Sequence, residues 1–353
     1  MSGGTAAEPG STPGFGAETG GQGVVLAIET SCDETAAAVV RNGQLLSSEV
    51  ASQIPLHQAT GGVVPEVASR SHLVALRRVL EKALAEAGLR MRDVDVFAAT
   101  AGPGLASSLM IGASAAKGLA VALEKPFIAV NHLEGHLLSP FFGLPDGIRP
   151  AVGLVVSGGH TLLVDVEGFG SYQLLGQTRD DAAGEAFDKV GKLLGLPYPG
   201  GPHVNRMAAA GDARKFDFPR SMLDSGDYQF SFSGLKTAVR YLLPQLAELR
   251  VSDVCASFQE AVVEVLVKKT VRAARELERQ TVAVSGGVSC NSRLRMLLGE
   301  TCEKEGLELL LAEPAVCTDN AAMIGFVAGL KWKAGEFSSL EADIDPNLRL
   351  AAS

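Results

Sequence analysis

Two histidines, His132 and His136, stand four positions apart in the stretch VNHLEGHLLSP. An α-helix turns once every ~3.6 residues, so on a helix both imidazoles project from one face, one turn apart. Such a pair either holds a metal or is two helix neighbours, and the spacing alone does not choose. Two nitrogens also leave a coordination shell incomplete, because a catalytic ion takes a third protein ligand and keeps one position open. The zinc-peptidase pattern places Glu directly after the first His. Here that position is Leu133, and Glu134 points off the shared face, which argues against peptidase chemistry. The best third donor is Asp319 in AVCTDNAAMIG, where a strand gives way to a helix that opens with small residues. Two imidazoles and one carboxylate suit iron or zinc.

Two further stretches share a device. VVSGGHT, from Val155, and AVSGGVSCN, from Ala283, each end an apolar run in Ser-Gly-Gly. Such a turn bares main-chain N–H groups and suits a phosphate, although each alone also reads as a plain turn. The duplication raises the nucleotide reading; neither copy is a P-loop or a full dinucleotide fingerprint. TRDDAAGEAFDKVGKLLGLPYPGGP crowds Asp180, Asp181, Glu185 and Asp188. If helical, Asp181, Glu185 and Asp188 share one face, which is either solvated or in contact with a ligand. The Ala, Gly and Phe flanks favour the ligand, and Asp188 can accept from ribose hydroxyls. Asp33 and Glu34 in SCDET are candidates for a general base or simply close a strand-end turn.

The elements that must position these groups repeat. VVLAIETSCDET and AAAVVRNGQLLSSEVAS read as β runs with a hairpin at Asn42-Gly43. A helix follows from Pro65, then strand, glycine turn and helix from Asp95, then a strand leading into the histidine helix. From residue 151 the layout restarts, ending in strand, glycine turn and helix from Gln280. The expectation is an α/β chain of two related lobes facing a cleft. Expected limits are a disordered tail at 1–23, a first lobe at 24–135, a second lobe at 136–335, and a C-terminal tail at 336–353. Residues 196–240 read as a cleft-lining insertion, and the last helix, CTDNAAMIGFVAGLKWKAG, as one that packs back on the first lobe.

The 353 residues are 46% hydrophobic and 20% charged, with 40 glycines, a globular composition with a large core. The net charge of -9 gives no overall attraction to nucleic acid. Basic runs at Arg70–Arg78 and Lys268–Arg279 read as local patches or as solvated helix faces. The five scattered cysteines include no C-x-x-C pair, which points to a reducing compartment. Residues 1–23 contain no Lys, Arg or apolar run, against a secretory or transit peptide. No stretch reads as the ~20 apolar residues of a membrane span.

ETSCDET, GPGLASSLMIG, NHLEGH, VSGGHT, DDAAGEAFDK, PGGP, FSFSGLKT, SGGVSCNSRLR and CTDNAAMIG, in this order, resemble the TsaD family. These are tRNA N6-adenosine threonylcarbamoyltransferases, once labelled glycoproteases. The resemblance implies the actin-like (ASKHA, heat-shock-chaperone-type) fold of two lobes. It implies transfer of threonylcarbamoyl from threonylcarbamoyl-adenylate to N6 of adenosine 37 in tRNAs reading ANN codons, with AMP released. By motif, the metal ligands are His132, His136 and Asp319, with Fe(II) favoured and Zn(II) possible. The substrate contacts are Val155, Val156, Ser157, Gly158, Gly159, Asp188, Gly201, Asn205 and Asn291. Implied partners are tRNA, a TsaB-like paralogue, a TsaE-like ATPase and a TsaC-like enzyme that makes the adenylate, with a homodimer possible and a cytoplasmic location. The competing reading is an actin-like nucleotide-binding regulator without transferase activity.

Overall fold

A computed structural model describes residues 23–246, 248 and 250–350. All of the expected 1–23 tail except Gly23 lies outside the described residues. The first sheet has the order β3-β2-β1-β4-β5, from β1 (Val24–Glu29), β2 (Glu34–Arg41), β3 (Gln44–Ser52), β4 (Val96–Gly102) and β5 (Phe127–Asn131). The second sheet has the order β10-β9-β6-β7-β8, from β6 (Ala151–Val156), β7 (Thr161–Gly168), β8 (Ser171–Gln177), β9 (Thr281–Ser285) and β10 (Glu308–Leu311). The plan is the same in both. A central strand carries an antiparallel meander on one side and two parallel strands, reached by helical crossovers, on the other. The repeat in the sequence is therefore a repeat of topology. Asn42 and Gly43, at φ 52° and 80°, make the expected tight turn between β2 and β3.

The helices are α1 (Ile54–His57), α2 (Pro65–Glu86), α3 (Ala106–Leu123), α4 (His132–Leu138), α5 (Ala183–Leu193), α6 (Gly200–Ala208), α7 (Ser233–Leu242), α8 (Val251–Glu276), α9 (Ser292–Glu305), α10 (Pro314–Cys317) and α11 (Ala321–Lys333). The central strands are buried on both faces, and alternate side chains enter different cores. On β1, Val24, Leu26 and Ile28 pack with α2 and α3, whereas Val25 and Ala27 join a middle core with α4 and α11. On β6, Val152, Leu154 and Val156 pack with α5 to α9, and Val155 faces the middle core. The layers are thus helices, sheet, the α4–α11 pair, sheet, and helices.

The last helix, α11, lies against β1 and β2. A Cβ on Gly325 would stand 2.8 Å from Val40 Cγ2 and 3.3 Å from the Ala27 Cβ, so only glycine permits this approach. Beyond α11 the chain does not trail away. Ser338 N donates to Phe127 O (2.9 Å), Asp345 N to Ala101 O (2.8 Å) and Gly104 N to Pro346 O (3.1 Å), strapping the C-terminal segment along the first sheet. The 196–240 segment contains α6 and α7, and of it only Tyr198 and Pro199 line the cleft described below. By length and composition alone the 18-residue α3 is apolar enough to cross a membrane, as a buried core helix also can be. It buries Leu109, Gly112, Ala113, Ala116 and Ala120 against the first sheet and α2.

Gly325→Val is expected to lower unfolding stability by about 1–3 kcal/mol through overpacking. Gly329→Ala, on a side of α11 with nothing within 4 Å, is expected to leave it unchanged or raised. Thermal unfolding of both variants checks this.

Candidate metal centre and cleft

The helix α4 begins directly after β5. The side chain of Asn131 caps it by accepting from Leu133 N (2.8 Å) and Glu134 N (3.3 Å). All seven of its residues are buried, which brings both imidazoles into the middle layer, ring centroids 4.7 Å apart. Asp319 arrives from the loop ahead of α11, whose start is capped by Asn320, accepting from Met323 N (2.9 Å). Gly135 lets the two helices meet, since a Cβ there would come within 3.1 Å of Met323 and Ile324.

His136 Nε2 is 3.0 Å from Asp319 Oδ1, and His132 Nε2 is 3.6 Å from the same oxygen. Donor atoms bound to one ion at ~2.0–2.2 Å are about 3–3.6 Å from one another, so each histidine stands at ligand spacing from Asp319, and all three donor atoms lie within 4.8 Å of one another. The other nitrogen of His132, Nδ1, is 2.9 Å from Glu29 Oε2. Glu29 is fully buried at the end of β1 and also accepts from Thr100 Oγ1 (2.6 Å) and Ser31 N (2.5 Å). A carboxylate behind a histidine fixes the tautomer that turns Nε2 toward an ion. Sequence reasoning missed Glu29; its signal was an acid closing the otherwise apolar run VVLAIE.

The charges ask for a cation. Burial pushes the Asp319 carboxyl up, but His132 and His136 hold it well below the usual carboxylate range. Burial likewise raises Glu29, and His132 reverses that to a net lowering. Burial opposes a charged His132, yet Glu29 and Asp319 lift its pKa to about 9. Two carboxylates held toward their charged forms therefore meet two imidazoles at the floor of a cleft, and His136 Nδ1 is buried without a hydrogen-bond partner. A divalent ion balances this set, so the residues fit one.

Asp319 and His132 open on a cleft of about 760 Å³. Ser157, Gly158 and Gly159 form one wall, and Asp33 and Glu34 stand in another. Burial and then the charge of Asp33 raise Glu34 to about 8; its Oε1 accepts from Ser52 Oγ (2.9 Å) and its Oε2 is buried without a partner. Burial also raises Asp33. His160, which sequence reasoning passed over within SGGHT, lines the cleft too; burial, then His132 and His136, lower it to about 4.

The remaining candidates fall in different places. Val155 and Val156 are strand residues whose side chains are fully buried in the two cores, leaving only main chain toward a ligand. Asp188 lines the cleft, and its Oδ1 accepts from Gly200 N (2.7 Å) and Gly201 N (3.3 Å) at the start of α6. Burial raises its pKa against those two N–H groups. The helix α5 starts only at Ala183, so Asp181 is not on a face with Glu185 and Asp188, as the spacing suggested. Instead Asp181 pairs with Lys189 (2.8 Å), and Asp180 accepts from Phe232 N (2.8 Å) and Ser231 Oγ (2.5 Å) ahead of α7. Asn205 Oδ1 accepts from Ser292 Oγ (2.8 Å) and faces an adjoining groove. Asn291 caps α9, accepting from Arg293 N (3.0 Å), and donates to Gln259 Oε1 (2.7 Å), so its side chain is spent on structure.

A family model described as TsaD, tRNA N6-adenosine threonylcarbamoyltransferase, matches residues 44–326. A protein of that name from Anaeromyxobacter sp. (strain Fw109-5) is 51% identical over 333 residues, covering 92% of this chain and 99% of the relative. One of the same name from Syntrophobacter fumaroxidans (strain DSM 10017 / MPOB) is 52% identical over 336 residues, covering 92% and 99%. Among solved structures, T. kodakarensis HypF superposes with a TM-score of 0.61 at 16% identity, covering 89% of this chain and 48% of that one. Component A of the Acidaminococcus fermentans (R)-2-hydroxyglutaryl-CoA dehydratase gives 0.55 at 14% identity, covering 88% and 99%. These two share the actin-like α/β fold, and the sequence relatives decide the rest: the chain belongs to the TsaD family of tRNA N6-adenosine threonylcarbamoyltransferases.

Proposed function

We propose that the chain transfers threonylcarbamoyl from threonylcarbamoyl-adenylate to N6 of adenosine 37 in tRNAs reading ANN codons, releasing AMP. The observation that carries this reading is the meeting of His132, His136 and Asp319 beside a cleft that Ser157, Gly158, Gly159 and Asp188 also line. The bare N–H groups of the Ser157–Gly159 turn suit the adenylate phosphate. Asp188 spends one oxygen on the start of α6 and offers the other to ribose hydroxyls, with Gly201 beneath. Val155 and Val156 contribute main chain, while Asn205 and Asn291 brace α6 and α9 behind the wall. His132, His136 and Asp319 would hold Fe(II) or Zn(II), which would supply Lewis acidity at this end of the cleft. The N6 amine attacks the carbamoyl carbon. The new N–C bond forms, the C–O bond to phosphate breaks, and AMP leaves with the electron pair. Glu34, which lines the cleft and whose Oε2 has no hydrogen-bond partner, takes the N6 proton, and burial, with Asp33 beside it, keeps Glu34 basic enough to do so. A nucleotide-binding regulator would use the glycine turns but has no need of buried imidazoles facing a carboxylate.

A partner face is also at hand. On α2, Val67, Leu73 and Val74 are exposed, the last at 84%; on α3, Met110 and Val121 are exposed. The outer stripe of α3 carries no charge. Such a face suits a TsaB-like paralogue or a second copy of this chain, with a TsaE-like ATPase joining the assembly and a TsaC-like enzyme supplying adenylate. Action on tRNA places the reaction in the cytoplasm.

His132→Ala is expected to abolish transfer to tRNA in a reconstituted assay; full activity rejects this reading. Because the Glu34 carboxyl is raised to about 8, its base form grows with pH. Single-turnover transfer is expected to rise about tenfold per pH unit below that value and level off above it. Glu34→Gln is expected to be slow and flat across the same range, and an unchanged profile in that variant removes Glu34 from the role.

A further inference from the structure

We propose that Tyr198 is a stacking platform for an adenine ring in the cleft. The inference deepens the transferase reading and rests on it for the identity of the ring, because that reaction brings two adenines together, one on the donor adenylate and one on the target nucleoside. A purine needs an apolar face to lie on, and an aromatic side chain supplies it whatever hydrogen bonds the base edge makes. Among the described residues lining the cleft, Tyr198 alone carries a phenyl or indole ring. The other three tyrosines are elsewhere: Tyr172 donates to Glu134 (3.0 Å), Tyr228 bonds Glu276 beneath the Arg272 guanidinium, and Tyr241 is exposed on α7.

The ring has a fixed root. Its own carbonyl accepts from Gln58 Nε2 (3.2 Å), which reaches over from the segment after α1. Two residues on, Gly200 N is held by Asp188 (2.7 Å). Tyr198 is therefore gripped from both walls of the cleft. Its half-buried phenol stands among Asp33, Glu34 and Asp188, whose charges and the burial push its own ionisation up and keep it neutral. On the Asp188 side, a ribose held by that carboxylate puts its base one glycosidic bond away. On the Asp33–Glu34 side, the ring borders the place where the target amine loses its proton.

The test uses the full chain with whatever proteins the transfer reaction requires, comparing wild type, Tyr198→Phe and Tyr198→Leu. Tyr198→Phe is expected to keep both Michaelis constants within about twofold. Tyr198→Leu is expected to raise one of them about tenfold, the scale of one lost base–aromatic stack, with a smaller change in kcat. A rise for tRNA assigns the ring to the target adenine; a rise for threonylcarbamoyl-adenylate assigns it to the donor. If neither constant moves in Tyr198→Leu, or if Tyr198→Phe loses as much, the platform is wrong. Should Tyr198→Leu fold poorly, Tyr198→Trp gives a second measurement, in which added AMP or an anticodon stem-loop RNA quenches emission beyond that of Trp332 in the wild type. No quenching by either also overturns the proposal. This titration needs no turnover, so a wild-type chain that fails to transfer rejects the reaction while leaving the platform to be judged separately.

Discussion

The structure turns on an electrostatic problem: Glu29, wholly buried, and Asp319, at the edge of the cleft, are both held toward their charged forms, with His132 between them and His136 beside Asp319. An unbalanced carboxylate in such a place costs several kcal/mol, so the arrangement persists only with positive charge among the four groups. Each member comes from a different part of the chain: Glu29 from the end of β1, the histidines from the helix after β5, and Asp319 from the loop after β10. The two sheets must therefore close on the α4–α11 layer before the site exists. Gly325 lies where α11 comes too near β2 for a side chain, and Gly135 where α4 and α11 pack tightly.

The cleft above this layer is acidic, with Asp33, Glu34, Glu185 and Asp188 facing Lys189 and Lys192. A polyanion gains nothing from such a surface. Nor do the basic runs act as free patches, since Arg70 pairs with Glu66, Arg77 with Glu81, Lys268 with Glu264 and Arg279 with Asp165. The first run is a solvated helix face, the plainer of the two sequence readings, whereas the second is partly internal, with Lys269 enclosed over the Phe230 ring and Arg279 held against the buried Asp165.

Much of this was legible beforehand. The apolar runs of β1 and β6, the Asn42-Gly43 turn and the repeated strand–glycine turn–helix unit follow from local rules of spacing and turn chemistry. So did the histidine face, because helical periodicity alone aligns His132 and His136. Asp319 was found by its local setting, a strand end running into small residues. The failures share one cause. Asp181 reads as helical by spacing but lies before the helix, because a salt bridge to Lys189 and the turn at Thr178 fix it there. Asn291 reads as a substrate contact, and the spacing did not announce that its side chain also caps α9 and bonds Gln259. Glu29 showed only as an acid closing an apolar run and Tyr198 not at all, since their contacts are to residues about 70 to 140 positions away. Periodicity reports the face a side chain takes, not which distant group will meet it there.

The most direct measurement is of the metal itself: elemental analysis of the purified chain, with X-ray absorption at the edge of whatever ion is found. The account predicts one divalent ion per chain, bound by two imidazole nitrogens and a carboxylate oxygen. It predicts loss of that ion in Asp319→Asn, and binding about 10–100-fold weaker in Glu29→Gln, where the carboxylate behind His132 is removed. A chain that binds no ion under metal-replete conditions, or holds one equally well after Asp319→Asn, would contradict it.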